Sequence, residues 1–524
     1  MRMKKIFSIL TLAGLSLALN SCADKFDEID VNPNSTENPL PTGLFNNANK
    51  EYMDYTRDAW VSGRMMLPWV QYSAQRQYTE EDRYQYRLTT GTQLWTRSYY
   101  VAEDLRKIIE LNTDPATAAQ MTNYGSNANQ IAAARVMLSY VFLNLVDTFG
   151  DIPYWSYGNK DADFQALNVK QNLQPKFASQ QKVYADIMNE LKEASEMIDL
   201  TQDVVFTSGD QLFKSPEKLK KFANSLRLRV ATRVKGVVPG AEANITDAIA
   251  SGVMTSNDDT VGLTYENNLV NPSPFFAAYQ TRSDFAISKT FVQLLKGQVG
   301  NFGEDPRIFK YASPTSVKIG NIRNQTMVEA TNANQISGMP YGLPSTLAAS
   351  QAASSSFFGA SILKPAYTEV FMEYAEVEFL LAEANGWSQS NYENGVRASM
   401  ERWNVPADKI NTFLSALPAA SKANVLTQKY VALFMQPNEA WAEYRRNGYP
   451  NHLLLPGQTA SLNVPSSSGQ TSYTFTSLIA GLTDLPTRIF YPTTVQTLNT
   501  TNYEAASNAI GGDKMDTKLI WDKN

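Results

Sequence analysis

Residues 131–154 read IAAARVMLSYVFLNLVDTFGDIPY. Ile131, Ala134, Leu138, Phe142 and Leu145 recur at three- and four-residue steps, the spacing that lines side chains along one face of an α-helix. Gly150 and Pro153 then predict that the helix stops and a loop opens, with Asp151 placed to accept from free backbone amides. The same period continues on either side. Val183, Ile187, Leu191, Ala194 and Ile198 form a second stripe. Leu219, Phe222, Leu226, Val230 and Val234 form a third, entered through Ser215-Pro216-Glu217, where serine caps and proline suits the first turn. A fourth runs through Val370, Tyr374, Val377, Leu381 and Ala384, and Leu426, Tyr430 and Leu433 begin a fifth. Amphipathic helices of this length in antiparallel pairs predict a mainly α fold on a tetratricopeptide-like helix-pair scaffold with few short strands. No strict 34-residue consensus accompanies them.

Between the helices lie long irregular stretches: 253–285, 296–365 and 450–486. They are rich in Gly, Pro, Ser, Asn and aromatic residues. Loops of that length in a packed domain usually carry function. The expectation is a helical frame bearing a loop-built face.

Composition excludes several chemistries. Of 524 residues, 43% are hydrophobic and 19% charged, enough apolar material for a large core. Loss of Arg2, Lys4 and Lys5 with a leader takes the formal net charge from −5 to −8, a balance that repels phosphate backbones, so nucleic acid is not an expected partner. His452 is the only histidine, in a proline-flanked loop, and no GxSxG context accompanies it. A lone His and a lone Cys also fall short of the usual zinc ligand sets. A carboxylate pair, as in glycosidases, is the catalytic option left. Glu369, Glu373, Glu376, Glu378 and Glu383 crowd together but read as a solvated helix side with one or two buried members paired to arginine. Asn257-Asp258-Asp259-Thr260 offers oxygen ligands for a structural calcium ion, without EF-hand spacing, and reads first as a turn cap.

The N-terminus reads as an address. Arg2, Lys4 and Lys5 precede an apolar run from Ile6 to Leu19, and Leu19-Asn20-Ser21-Cys22 has the form of a lipobox. The run is too short for a spanning helix. Cys22, the single cysteine, is therefore the expected lipidation site and first residue of the mature chain. The expected organisation is a signal peptide over 1–21, a lipidated polar tether over 22–43 and one helical domain over 44–524.

Several motifs resemble those of the SusD/RagB-type outer-membrane lipoproteins. They are Asp147-Thr148-Phe149-Gly150-Asp151-Ile152-Pro153-Tyr154, Glu378-Phe379-Leu380-Leu381-Ala382-Glu383-Ala384, Asn391-Tyr392-Glu393-Asn394-Gly395-Val396 and the segment from Glu439 to Pro450 containing Trp441, Tyr444, Arg445 and Arg446. The ending from Pro486 through Gly511-Gly512-Asp513 to Trp521-Asp522 is similar as well. The likeness is closest to the second SusD-like branch. It implies four helix pairs with an elaborated loop region, on a surface lipoprotein that captures glycan, or peptide in some relatives, for a SusC-like TonB-dependent transporter. Asp24, Asp27, Glu28 and Asp30 fit the acidic surface-export pattern of such proteins. The family motifs themselves read as structural, with the arginines clamping a carboxylate or a helix end.

A glycan reader needs flat aromatic faces beside planar polar groups. The segment 69–86 supplies both densely: Trp69, Tyr72, Tyr78 and Tyr84 with Arg76 and Arg83. These rings serve either binding or packing, and Tyr84 and Tyr86 alternate like one face of a short strand. The resemblance implies a second contact zone past mid-chain: Phe275, Phe276, Tyr279, Arg282 and Asp284, then Tyr341. Arg282 and Asp284 alternatively form an ion pair. The expected activity is binding of a neutral oligosaccharide without catalysis; a peptide cargo and a carboxylate-based surface glycosidase are the competing readings.

Overall fold

The computed structural model describes residues 39–522. The expected signal peptide, Cys22 and residues 22–38 of the tether lie outside them. Helix α1 spans Pro41–Thr56, so Pro41, Thr42 and Gly43, read as tether, are already helical. It packs on α2 (Thr92–Thr113), which packs on α3 (Asn127–Phe149), and the chain continues through α4 (Gln180–Met197), α5 (Pro216–Arg233) and α6 (Ala241–Ala250), each against its predecessor. After α7 (Pro274–Thr281) and α8 (Ser345–Ala353) come α9 (Tyr374–Ala384), which pairs with α10 (Gln389–Arg402), then α11 (Ala407–Ser415), α12 (Lys422–Ala432) and α13 (Pro437–Asn447). The pairs α1/α2, α3/α4, α5/α6 and α9/α10 make the tetratricopeptide-like frame that the periodicity predicts.

Local chemistry sets the helix ends as read from sequence. Ser215 accepts from the Lys218 amide with Pro216 in the first turn, and Ser179 does the same for Lys182 at the start of α4. Gly150 ends α3 at φ +88°, a conformation strained for a residue with a Cβ. Beside it Asp151 accepts from the Gln180 amide at 3.0 Å, serving the first turn of α4.

Three sequence expectations change. The stripe on α3 predicts one buried face, yet 20 of its 23 residues are buried, because neighbours cover it on every side. The fourth stripe is not one helix. Val370 and Glu369 lie in strand β4 (Thr368–Met372), paired antiparallel with β2 (Val261–Thr264), and α9 begins only at Tyr374. Nor is the glutamate cluster solvated: Glu369, Glu373, Glu376 and Glu378 are all buried. Buried arginines compensate part of this acidic charge. Arg229 donates to Glu376 at 2.6 Å, Arg233 meets Asp147 at 2.5 Å and also Glu439, and Arg446 bridges Glu383 at 2.7 Å and Glu443 at 2.9 Å. These pairs join α3, α5, α9 and α13, so the charge that sequence reasoning placed in water cross-links the frame.

Against this frame the loops fold back with little regular structure. Strand β1 (Ser73–Gln75) pairs antiparallel with β3 (Phe285–Ile287), Gln75 opposite Phe285, and β5 (Thr459–Ser461) pairs with β6 (Ser472–Thr474). The β1–β3 pair joins the early aromatic segment to the mid-chain zone.

Candidate functional site

Between α1 and β1 the chain makes a turn of helix with wider pitch. In residues 59–66 the Gly63 amide donates to the Asp58 carbonyl and the Leu67 amide to Ser62, each five residues back, which is π-helical bonding. Asp58 caps its start, accepting from the Trp60 and Val61 amides at 2.8 and 2.7 Å, and burial pushes its carboxyl up to about 6. Gly63 packs against β3 so closely that a Cβ there would lie 2.9 Å from the Phe285 ring. The segment therefore presents Trp60 outward and Arg64 along the surface, held at a fixed distance from the sheet.

Arg64 stacks over the Trp60 ring at 4.4 Å and the Tyr78 ring at 5.4 Å. Arg282 also lies 5.7 Å from the Trp60 centroid and 5.8 Å from that of Tyr78. Two exposed rings thus share two guanidinium groups. Trp60 is 57% exposed and Tyr78 53%, which marks them among the largest aromatic surfaces left in water. Each arginine has its own carboxylate. Arg64 Nε donates to Glu81 at 2.7 Å, and Arg282 Nε donates to Asp284 at 2.6 Å. Burial pushes the Glu81 carboxyl up, and Arg64 pulls it back.

The loop that carries Tyr78 is fixed from below. Buried Asp82 accepts from the Gln75 amide at 2.8 Å, and Tyr86 donates to the Arg64 carbonyl at 2.9 Å while accepting from the Trp69 indole at 2.9 Å. Tyr78 itself sits at φ +57°, a left-handed conformation that costs a non-glycine residue about 1–2 kcal/mol. Such strain concentrates at functional sites. Here it holds the Tyr78 ring away from the core. A cavity of about 580 Å³ opens beside the two rings, lined by Trp60, Arg64, Tyr78, Glu81, Gln85 and Arg87. Tyr78 also borders a second cavity of about 490 Å³ reaching Arg76, Ser283 and the α8 face.

The structure sorts the sequence candidates into three groups. Arg76, Tyr78, Arg282 and Asp284 come together at the site, and the expected Arg282–Asp284 ion pair forms there. Arg83 is half-buried and pins the chain opposite, its Nε donating to the Thr476 carbonyl at 3.1 Å. Trp69, Tyr72, Tyr84 and Tyr341 belong to the core. Trp69 packs 4.8 Å from Trp441, Tyr72 stacks on Tyr430 at 4.6 Å, and Tyr84 and Tyr341 both meet Phe475 edge-on. Phe275, Phe276 and Tyr279 are buried too. These rings are the apolar filling beneath a loop layer that has little regular structure of its own. Tyr84 lies in a turn and Tyr86 in the irregular stretch that follows it, neither on a strand.

Sequence reasoning missed Trp60 and Arg64. An Asp cap two residues before an isolated Trp, with Gly63 and Arg64 following, was the available signal; their proximity to Tyr78 depends on the tertiary fold. Elsewhere, a cavity of about 560 Å³ lies between residues 302–309 and α11, but its phenylalanines are buried or half-buried. His452 sits in a loop, where burial lowers its pKa to about 4. In the Asn257–Thr260 turn, Asp259 accepts from the Thr255 and Ser256 amides and from Lys221 at 2.9 Å, so its carboxylate is engaged as a turn cap.

Comparison with known proteins places the chain. No curated protein matches it. Among solved structures it is similar to a chitin-binding protein (23% identity, TM-score 0.71, covering 93% of this chain and 100% of the other). It is also similar to a Bacteroidetes SusD-like protein (21%, TM-score 0.72, 92% and 100%) and to a SusD homologue from Parabacteroides distasonis (21%, TM-score 0.72, 93% and 98%). At these identities the likeness speaks for the fold. The family model described as "Starch-binding associating with outer membrane" matches residues 33–468, and that described as "Susd and RagB outer membrane lipoprotein" matches residues 420–522. The chain belongs to the SusD-like family of outer-membrane, starch-binding-associated proteins.

Proposed function

We propose that this protein is a non-catalytic receptor, lipid-anchored through Cys22 on the cell surface. In this reading it holds an oligosaccharide on its loop face and passes it to a SusC-like TonB-dependent transporter. The observation that carries the reading is the exposed Trp60–Tyr78 pair clamped by Arg64 and Arg282 over an open cavity. Flat rings cover the apolar face of a sugar at little entropic cost, while guanidinium and amide groups beside them orient its hydroxyls. Family membership supports a cargo of glycan type, and the name of the chitin-binding neighbour fits it. Support for the absence of catalysis comes from the carboxylates: Glu369, Glu373 and Glu376 are buried under the frame, and Glu81 is committed to Arg64.

Electrophoresis of the purified protein through gels containing candidate polysaccharides tests this. Retardation by at least one polysaccharide, lost in Trp60→Ala and Tyr78→Ala, is the expected result. Release of new reducing ends on long incubation would overturn the non-catalytic reading. Peptides identified by mass spectrometry as the sole co-purifying cargo would replace glycan with peptide. Co-purification with a TonB-dependent transporter from solubilised outer membranes is expected for the partnership.

A further inference from the structure

The two cavities that meet at Tyr78 differ in charge. On the Trp60 side Arg64 and Arg87 face Glu80 and Glu81, and the balance is even. On the other side the lining is Arg76, Gln77, Tyr78, Thr79, Ser283 and the small face of α8, with no carboxylate. A smaller cavity of about 180 Å³ behind Arg76 adds Lys318 and again no acid.

Arg76 is the unusual member. Its guanidinium stacks over the Phe357 ring at 4.2 Å and donates to two backbone carbonyls, Ser283 at 3.4 Å and Ala352 at 3.0 Å. A guanidinium has five N–H groups, so three remain unspent, and Nε is buried with no acceptor. The nearest carboxylate, Asp284, is taken by Arg282. Burial lowers the Arg76 pKa, and neighbouring Tyr279 and Asp284 offset that desolvation only in part. Lys318 is exposed, its ammonium donating only to the Thr315 carbonyl. Arg76, shared by both cavities, and Lys318, on the smaller one, therefore face this region with no ion pair of their own among the described residues.

Resting on the saccharide reading above, we propose that the cleft between Arg76 and α8 takes an acidic sugar residue, whose carboxylate or sulfate oxygens accept from Arg76 while the adjoining sugar stacks on Tyr78. A charged acceptor satisfies the unspent terminal N–H groups with strong, short hydrogen bonds and adds the counter-charge that Asp284, paired to Arg282, supplies only in part. Ser345, Ala348, Ala349 and Ala352 along α8 leave room for a ring to approach the guanidinium. The cargo is then an anionic polysaccharide fragment, in place of the neutral one expected from sequence.

A glycan array that pairs each uronate-containing oligosaccharide with its carboxyl-reduced counterpart, and each sulfated one with its desulfated form, tests the proposal on the whole mature protein. The expected result is a preference of about tenfold or more for the acidic member, since hydrogen bonds to charged groups exceed neutral ones by that order. The uronate and sulfate arms show which anion is read. The preference falls with added salt, disappears in Arg76→Gln and weakens in Lys318→Gln, an exposed site where folding is not at stake. Equal binding of both members, still abolished by Trp60→Ala, overturns the acidic reading and leaves saccharide binding standing. A preference retained in both Arg76→Gln and Lys318→Gln overturns it as well. Binding of acidic peptides with no saccharide bound overturns both readings.

Discussion

Replacing Trp60 and Trp69 by alanine, one at a time, separates a ring that binds from a ring that packs. Trp60 leaves 57% of its surface in water, roughly 140 Å² for a side chain that covers about 250 Å² when buried. A sugar ring on one face covers about half of this. At about 25 cal/mol per Å², some 70 Å² is worth about 1.8 kcal/mol, or a roughly twenty-fold change in Kd. Folding loses little, because the indole packs mainly under the Arg64 and Arg282 guanidiniums, at an exposed cation–π worth of about 0.5–1 kcal/mol each. Trp69 is fully buried, with Trp441 against it and Tyr86 on its indole N–H. Its removal is expected to cost about 3–5 kcal/mol of stability, as for other large core truncations. Isothermal titration with an oligosaccharide that binds the wild type, beside urea unfolding of each variant, reads both quantities. Unchanged Kd in a well-folded Trp60→Ala variant, or wild-type unfolding in Trp69→Ala, would refute the assignment of the two rings.

Two further outcomes follow from the buried charges. Glu369 has no acceptor contact with any donor and lies 3.9 Å from Arg57, and burial pushes its carboxyl up to about 8; Glu373 is raised to about 7 by the same cause. A carboxyl that titrates higher in the folded state binds more protons there, so stability falls as pH rises from about 4.5 through 8, by up to about 1.4 kcal/mol per pH unit for one proton. Thermal melts from pH 5 to 9 should show this decline, and Glu369→Gln should flatten it; an unaltered slope in the variant counts against the burial argument. Glu439→Gln removes the shared partner of Arg229 and Arg233 and is expected to cost about 3–5 kcal/mol in urea unfolding. Glu193→Gln, whose side chain is 53% exposed opposite Arg135, should cost about 0–1 kcal/mol. Similar losses for both would show that burial is not what sets the scale.

Helix periodicity is a local property, and the stripes from Ile131 to Leu145 and from Leu219 to Val234 carried the frame because each residue's neighbours three and four positions away fix its face. Ser215, Pro216 and Gly150 marked ends for the same reason: a cap satisfies amides within its own turn. The same sequence could not say that Val370 leaves its stripe for a strand, since its partner Gly262 is more than one hundred residues earlier. Nor could it separate Trp60 from Trp69. Both are aromatic residues in polar-flanked segments, and what divides them is whether Trp441, brought from a distant helix, or water lies against the ring.

From its sequence alone this protein's helical frame, its single histidine and single cysteine and its kinship to SusD-like lipoproteins were determined, because composition, short-range period and motif are carried by neighbours in the chain. The site was decided only by tertiary structure. Trp60, Arg64, Tyr78 and Arg282 meet because a π-helical turn, a strained loop and the β1–β3 pair converge in space. Exposure, counter-ion pairing and cavity shape are sums over atoms far apart in sequence, and no local pattern encodes them.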